Sequence, residues 1–92
     1  MTPNPDTLHA IADWVRVTEA HVISITCYDG PVAVLVDVDT FRRTMAGATV
    51  TIEHGWGRSG DDYLTSPDLG GWHINAIERV GHTVGNVERV TL

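Results

Sequence analysis

Two β-branched runs separated by Asp29-Gly30 constrain the fold of this chain more than any other feature. Residues 21–28 alternate with period two: Ile23, Ile25 and Cys27 point one way, and Val22, Ser24, Thr26 and Tyr28 the other. Asp-Gly between such runs is a strong hairpin signal, because a tight primed turn needs positive φ and these residues tolerate it. Pro31 follows, where a strand start or edge can forgo an N–H. Residues 32–38 are almost continuously apolar and β-branched, which predicts a strand buried on both faces or nearly so. A chain that commits so early to a hairpin must cover that hairpin with whatever follows and precedes it.

Upstream, Leu8, Ile11, Ala12 and Val15 recur at i, i+3, i+4 and i+7. That spacing predicts one apolar stripe on a helix over 6–17, capped by Asp6 or Thr7 after a lead-in marked by Pro3 and Pro5. Downstream, Asp39 is placed to cap a short helix over 40–46. In it Phe41 and Met45 meet at i, i+4, Arg42 and Arg43 face water, and Gly47 supplies a left-handed stop. Residues 48–54 and 72–78 alternate again, the first set with Val50, Ile52 and His54 on one face, the second with Trp72, Ile74 and Ala76 opposed to His73, Asn75 and Ile77. Between them, residues 55–71 are rich in Gly, Asp and Ser, include Pro67 and show no period. They read as one long loop, of the kind that is usually functional or mobile in a small domain. Ile77-Glu78-Arg79-Val80 is echoed by Val87-Glu88-Arg89-Val90 around a turn region at 81–86, which predicts a closing hairpin. The order is α-β-β-α-β-β, with a further strand if that hairpin forms. It makes a single α+β domain over 1–92, a mostly antiparallel four- or five-stranded sheet with both helices on one face.

Ninety-two residues with 42% hydrophobic content support one core and no second lobe. The formal charge is −6, and the basic residues are six Arg with no Lys. Neutralising nucleic-acid phosphates takes a basic face, so nucleic acid is not an expected partner. Acidic mimicry of DNA is disfavoured too, because Arg42, Arg43, Arg58, Arg79 and Arg89 interrupt the scattered carboxylates. Cys27 is the single cysteine, which rules out an intramolecular disulfide and a cysteine-built zinc site. Its place beside Ile25 on the apolar phase predicts a buried, unreactive thiol. No apolar run approaches the ~18–20 residues of a membrane span. Residues 1–6 lack the basic and apolar regions of a signal peptide, so a reducing cytoplasmic setting is expected.

Three groups of residues could carry chemistry. Gly55-Trp56-Gly57-Arg58-Ser59-Gly60 matches G-x-G-x-x-G, but that motif works by presenting a helix N-terminus to a pyrophosphate. Here Asp61-Asp62 and Pro67 follow, so nucleotide binding is rejected and no cofactor is implied. His54, Asp61, Asp62 and His73 form a second group with metal-ligand or enzymatic chemistry, yet alternation places His54 and His73 on different sheet faces. The third group is Trp56, Arg58 and Tyr63, residue types enriched at interface hot spots, with Asp61 and Asp62 beside them. The bland reading of that group makes Trp56 a lid over the core and pairs Arg58 with Asp61 or Asp62.

The stretch FRRTMAGATVTIEHGWGRSGDDYLTSPDLGGWHINAIERV (41–80) resembles small uncharacterised proteins of actinobacterial phages, which run as a short helix, a strand, a Gly/Asp loop and a strand beginning Gly-Trp. The resemblance transfers no catalytic motif. It implies an accessory factor that binds a host protein. The expectation is therefore a non-catalytic protein-binding module, with contacts from Trp56, Arg58, Asp61, Asp62 and Tyr63 in the 55–71 loop and from Arg42 and Arg43 on the second helix. The alternatives are a small metal-binding protein or enzyme using His54, Asp61, Asp62 and His73, and a structural homo-oligomer such as a homodimer.

Overall fold

A computed structural model describes residues 4–27, 30–57, 59–81 and 85–92. The elements are α1 (Pro5–Thr18), β1 (Val22–Thr26), β2 (Val32–Val36), α2 (Val38–Thr44), β3 (Thr49–Trp56), β4 (Asp61–Thr65), β5 (Trp72–Glu78) and β6 (Asn86–Thr91). All six strands form one mixed sheet in the order β1-β2-β5-β4-β3-β6. β2 and β5 run parallel, and every other neighbouring pair is antiparallel. The expected α+β class and the first hairpin hold. The strand count and the all but antiparallel sheet do not.

Both helices pack on the same face, as alternation required. Ile11 from α1 and Phe41 and Met45 from around α2 join Val34, Val36, Val50, Leu64, Ile74 and Ala76 in one buried cluster. β2 is buried at Val32, Val34 and Val36 and only half-buried at Ala33 and Leu35, so its second face is not sealed as the apolar run suggested. α1 starts one residue early: Asn4, not Asp6 or Thr7, is the cap, and its Oδ1 accepts from the Asp6 N–H at 2.8 Å. Its buried stripe is also turned from the expected one. Leu8 is 41% exposed and Ala12 is exposed, whereas Trp14 packs edge-on against Trp72 with ring centroids 5.6 Å apart. A Trp buries roughly 150–250 Å², more than Leu8 and Ala12 can offer, so the indole decides the helix rotation. For α2 the cap is Asp37 rather than Asp39, its Oδ1 accepting from the Thr40 N–H at 2.7 Å. Hydrogen bonds from Thr40, its side chain first, hold the Asp37 carboxyl below its ordinary range. Gly47 has φ 85°, the left-handed stop that the sequence called for.

Two corrections concern residues 55–91. The supposed 55–71 loop contains β4, which pairs with β3 on one side and β5 on the other. Its period-two pattern is real: Asp62, Leu64 and then Ser66 are buried while Asp61, Tyr63 and Thr65 are half-buried. A carboxylate at a core-facing position disguised it. The expected hairpin between β5 and β6 does not form. β5 already has β2 on one edge and β4 on the other, so the last segment can join only an open edge. It takes the outer edge of β3, pairing from Thr49↔Thr91 to His54↔Asn86. The Leu92 N–H then donates to the Ala48 carbonyl at 3.0 Å, and the Gly47 N–H to the Leu92 carbonyl at 2.7 Å. No helix among the described residues is long and apolar enough to cross a membrane.

Candidate binding face

The sheet face opposite the helices is uncovered, and strand registers place its side chains in rows across it. One row runs Ser24, Leu35, Asn75, Thr65, Thr51 and Arg89, from β1 to β6. The next holds Ile77, Tyr63, Glu53 and Val87. Neighbouring positions in a row are one strand spacing apart, about 4.8 Å.

Trp56 reaches this face through an irregularity. By simple alternation it would share the helix-covered face with His54. The register of β3 shifts between Glu53 and Trp56, three residues facing the two steps from Tyr63 to Asp61 on β4. Gly55 sits inside the shift at φ 71°, a conformation that residues with a Cβ rarely adopt. The extra residue turns Trp56 onto the uncovered face, where its ring stacks on Tyr63 at 4.9 Å between centroids and 22° between planes. Trp56 is 40% exposed, so it is not a lid over the core. The G-x-G-x-x-G residues are thus the end of β3 and the connection into β4, with no helix following.

Beside the aromatic pair lies a groove of ≈ 260 Å³ that extends over Leu35, Ala33, Ile77 and Asn75 toward Ser24 and Thr26 of β1. Asn75 is 3% exposed, and its Oδ1 has no hydrogen-bond partner among the described residues. A buried acceptor left unsatisfied costs about 1–3 kcal/mol, so the position is not explained by stability. The Tyr63 hydroxyl is pushed above its ordinary pKa, first by burial and then by the negative charge of Glu53.

On the helix-covered face a second polar group forms. His54 Nδ1 lies 2.7 Å from Asp62 Oδ1, and its Nε2 lies 2.7 Å from Glu88 Oε1 on β6. The hydrogen bond to Glu88, then the one to Asp62, raise the His54 pKa above 6.5 against the opposing effect of burial. Asp62 is opposite Glu78 in the ladder, and Glu78 accepts from Arg42 at 3.0 Å. The imidazole is therefore held between two carboxylates, and no nucleophile is in this group.

The structure divides the residues singled out from sequence. Trp56, Tyr63 and Asp61 lie together on the uncovered face, Asp61 opposite Trp56 in the ladder. Asp62 lies on the other face against His54, and Arg42 and Arg43 are on α2, also on that side. Arg43 donates to the Thr18 carbonyl at 2.6 Å, tying α2 to the end of α1. Arg58, Tyr28 and Asp29 fall outside the described residues. His54 meets Asp62 as the metal reading required, but His73, in the ladder opposite Ala33, is on the far face. No group of three or more His, Cys, Asp or Glu among the described residues could hold a metal ion. Cys27 is exposed, contrary to expectation, because it follows edge strand β1, where even Ile25 stays 49% exposed. Sequence reasoning missed Asn75 and Glu88. The signal for Asn75 was an amide alone in the alternating run Trp72–Glu78; Glu88 carried none, since its pairing depends on strand order.

The chain matches no family model, no curated protein and no solved structure.

Proposed function

We propose that this chain is a non-catalytic protein-binding module that recognises its partner through the uncovered sheet face. The observation that carries the reading is the Trp56–Tyr63 stack standing beside an apolar groove, on a sheet face with no helix over it. Aromatic pairs of this kind supply rigid contact area at low entropic cost, and buried aromatic anchors dominate binding energy at interfaces. Gly55 adds weight to the reading: a strained backbone position is kept and its effect is to bring the indole to this face. In the setting implied by the resemblance of residues 41–80 to phage accessory proteins, the partner is a host protein. Arg42 and Arg43 have structural contacts on the opposite side and are not part of the proposed surface.

The test is affinity capture from an actinobacterial lysate, comparing wild type with Trp56→Ala, Tyr63→Ala and Arg42→Ala proteins matched for far-UV circular dichroism. A protein retained by wild type and Arg42→Ala but lost by both aromatic variants is the expected result. Equal retention by all four proteins removes the face from the reading.

A second reading, self-association, is favoured by one observation. β1 ends the sheet and consists of Val-Ile-Ser-Ile-Thr, uncharged, with Ile23 60% and Ile25 49% exposed. The opposite edge, β6, carries Glu88 and Arg89, charges that discourage strand pairing.

A further inference from the structure

We propose that the groove on the uncovered face receives an arginine side chain, so that the partner's contact segment is basic. The proposal rests on the reading of this face as a protein-binding surface and names the chemistry it selects. The groove offers an acceptor without a donor: Asn75 Oδ1 is buried and unpartnered. A guanidinium is the complementary group, with five N–H donors and no acceptor. The oxygen is itself covered, but χ2 of Asn is a soft torsion, and a turn of the amide presents it to the groove.

The aromatic wall points the same way. A guanidinium stacks on an indole or phenol face, which the compact, strongly hydrated ammonium of Lys does less well. Trp56 is 40% exposed and open to such stacking. Charge agrees as well. Glu53 lies next to Tyr63 in its row, and Asp61 lies opposite Trp56, both on this face. The described basic side chains of the face are His73 and Arg89, and Arg89 is three strands from Asn75 at the β6 edge. The chain as a whole carries −6, which steers a basic partner toward it. Size sets the final limit. At ≈ 260 Å³ the groove is below the roughly 300–1,000 Å³ of drug-sized sites, and suits one side chain with its stem.

The experiment is a ¹H–¹⁵N NMR titration of the full chain with N-acetyl-arginine N-methylamide, beside the same derivatives of citrulline, lysine and leucine. Expected are saturable shifts of the Trp56 indole N–H and the Asn75 side-chain amide, with a Kd on the order of 1–10 mM for so small a probe. Citrulline, the neutral isostere, should bind at least about fivefold more weakly, as should arginine to Glu53→Gln or to wild type in high salt. Asn75→Leu, which keeps the volume and removes the acceptor, should lose about tenfold. If Asn75→Leu does not fold, Glu53→Gln and the citrulline comparison carry the test. Citrulline binding as well as arginine, or arginine shifts centred away from Trp56 and Asn75, overturns the proposal. Leucine shifting Trp56 where arginine does not overturns it while leaving the binding face standing. If none of the four probes shifts the face and Trp56→Ala retains every captured protein, the arginine site and the binding face both fall.

Discussion

At the scale of single residues, His54 has the most consequential electrostatics in the fold. Glu88 and Asp62 favour its protonated form, so its folded-state pKa lies above 6.5. The linked stability is fully present below the unfolded-state pKa and is lost as pH rises through the higher folded value. Urea midpoints should therefore fall from about pH 6 to about pH 9 in the wild type, and fall less in His54→Gln. NMR titration should also show the His54 pKa of Glu88→Gln below that of wild type. A His54 pKa unchanged by Glu88→Gln would mean that the 2.7 Å contact with Glu88 is not formed in solution. Because Glu88 belongs to edge strand β6 and Asp62 to β4, this one imidazole ties together strands that flank β3.

At the scale of elements, β4 and the β3 irregularity decide what the uncovered face contains. Leu64 is fully buried at the centre of β4, between Ile52 on β3 and Ala76 on β5. Leu64→Ala should cost about 2–5 kcal/mol, measured by chemical denaturation, as expected of a core strand. A loss under about 0.5 kcal/mol would return residues 61–65 to the status of a surface loop. Gly55→Val places a β-branched residue at φ 71° and should cost about 1–3 kcal/mol. It should also separate Trp56 from Tyr63, which near-ultraviolet circular dichroism would register as a loss of aromatic signal. An unchanged aromatic spectrum in a folded Gly55→Val protein would show that the irregularity does not position the indole.

At the scale of the whole molecule, the sheet is covered on one side, open on the other, and unequal at its two edges. β6 carries charge at its edge, whereas β1 carries none across Val22–Thr26. The chain's net charge of −6 opposes contact between copies except where the surface is neutral, and β1 is such a place. Any association at high concentration should therefore run through β1. Sedimentation analysis should show it abolished by Ile25→Lys and left in place by Val87→Lys. The reverse pattern would move the self-contact to β6. Because Ser24 and Thr26 of β1 also line the groove, β1 pairing would change one end of the proposed binding site.

Much of the fold follows from local physics. The 21–38 hairpin, the two helices, the Gly47 stop, and the assignment of His54 and His73 to opposite faces all come from spacing, because side-chain period and turn chemistry act over a few residues. The interface character of Trp56 and Tyr63 was legible in their residue types. What needed the tertiary structure was everything set by competition between distant segments. β6 joins β3 because β5 has no free edge, β4 counts as a core strand because His54 accommodates the Asp62 carboxylate, and α1 turns until Trp14 meets Trp72. Asn75 belongs with them: its amide lies beside Trp56 and Tyr63 only because the crossover sets β5 between β2 and β4. Sequence spacing determined which residues share a face of a strand. The order of the strands, a matter of which edges remain open, determined which faces meet.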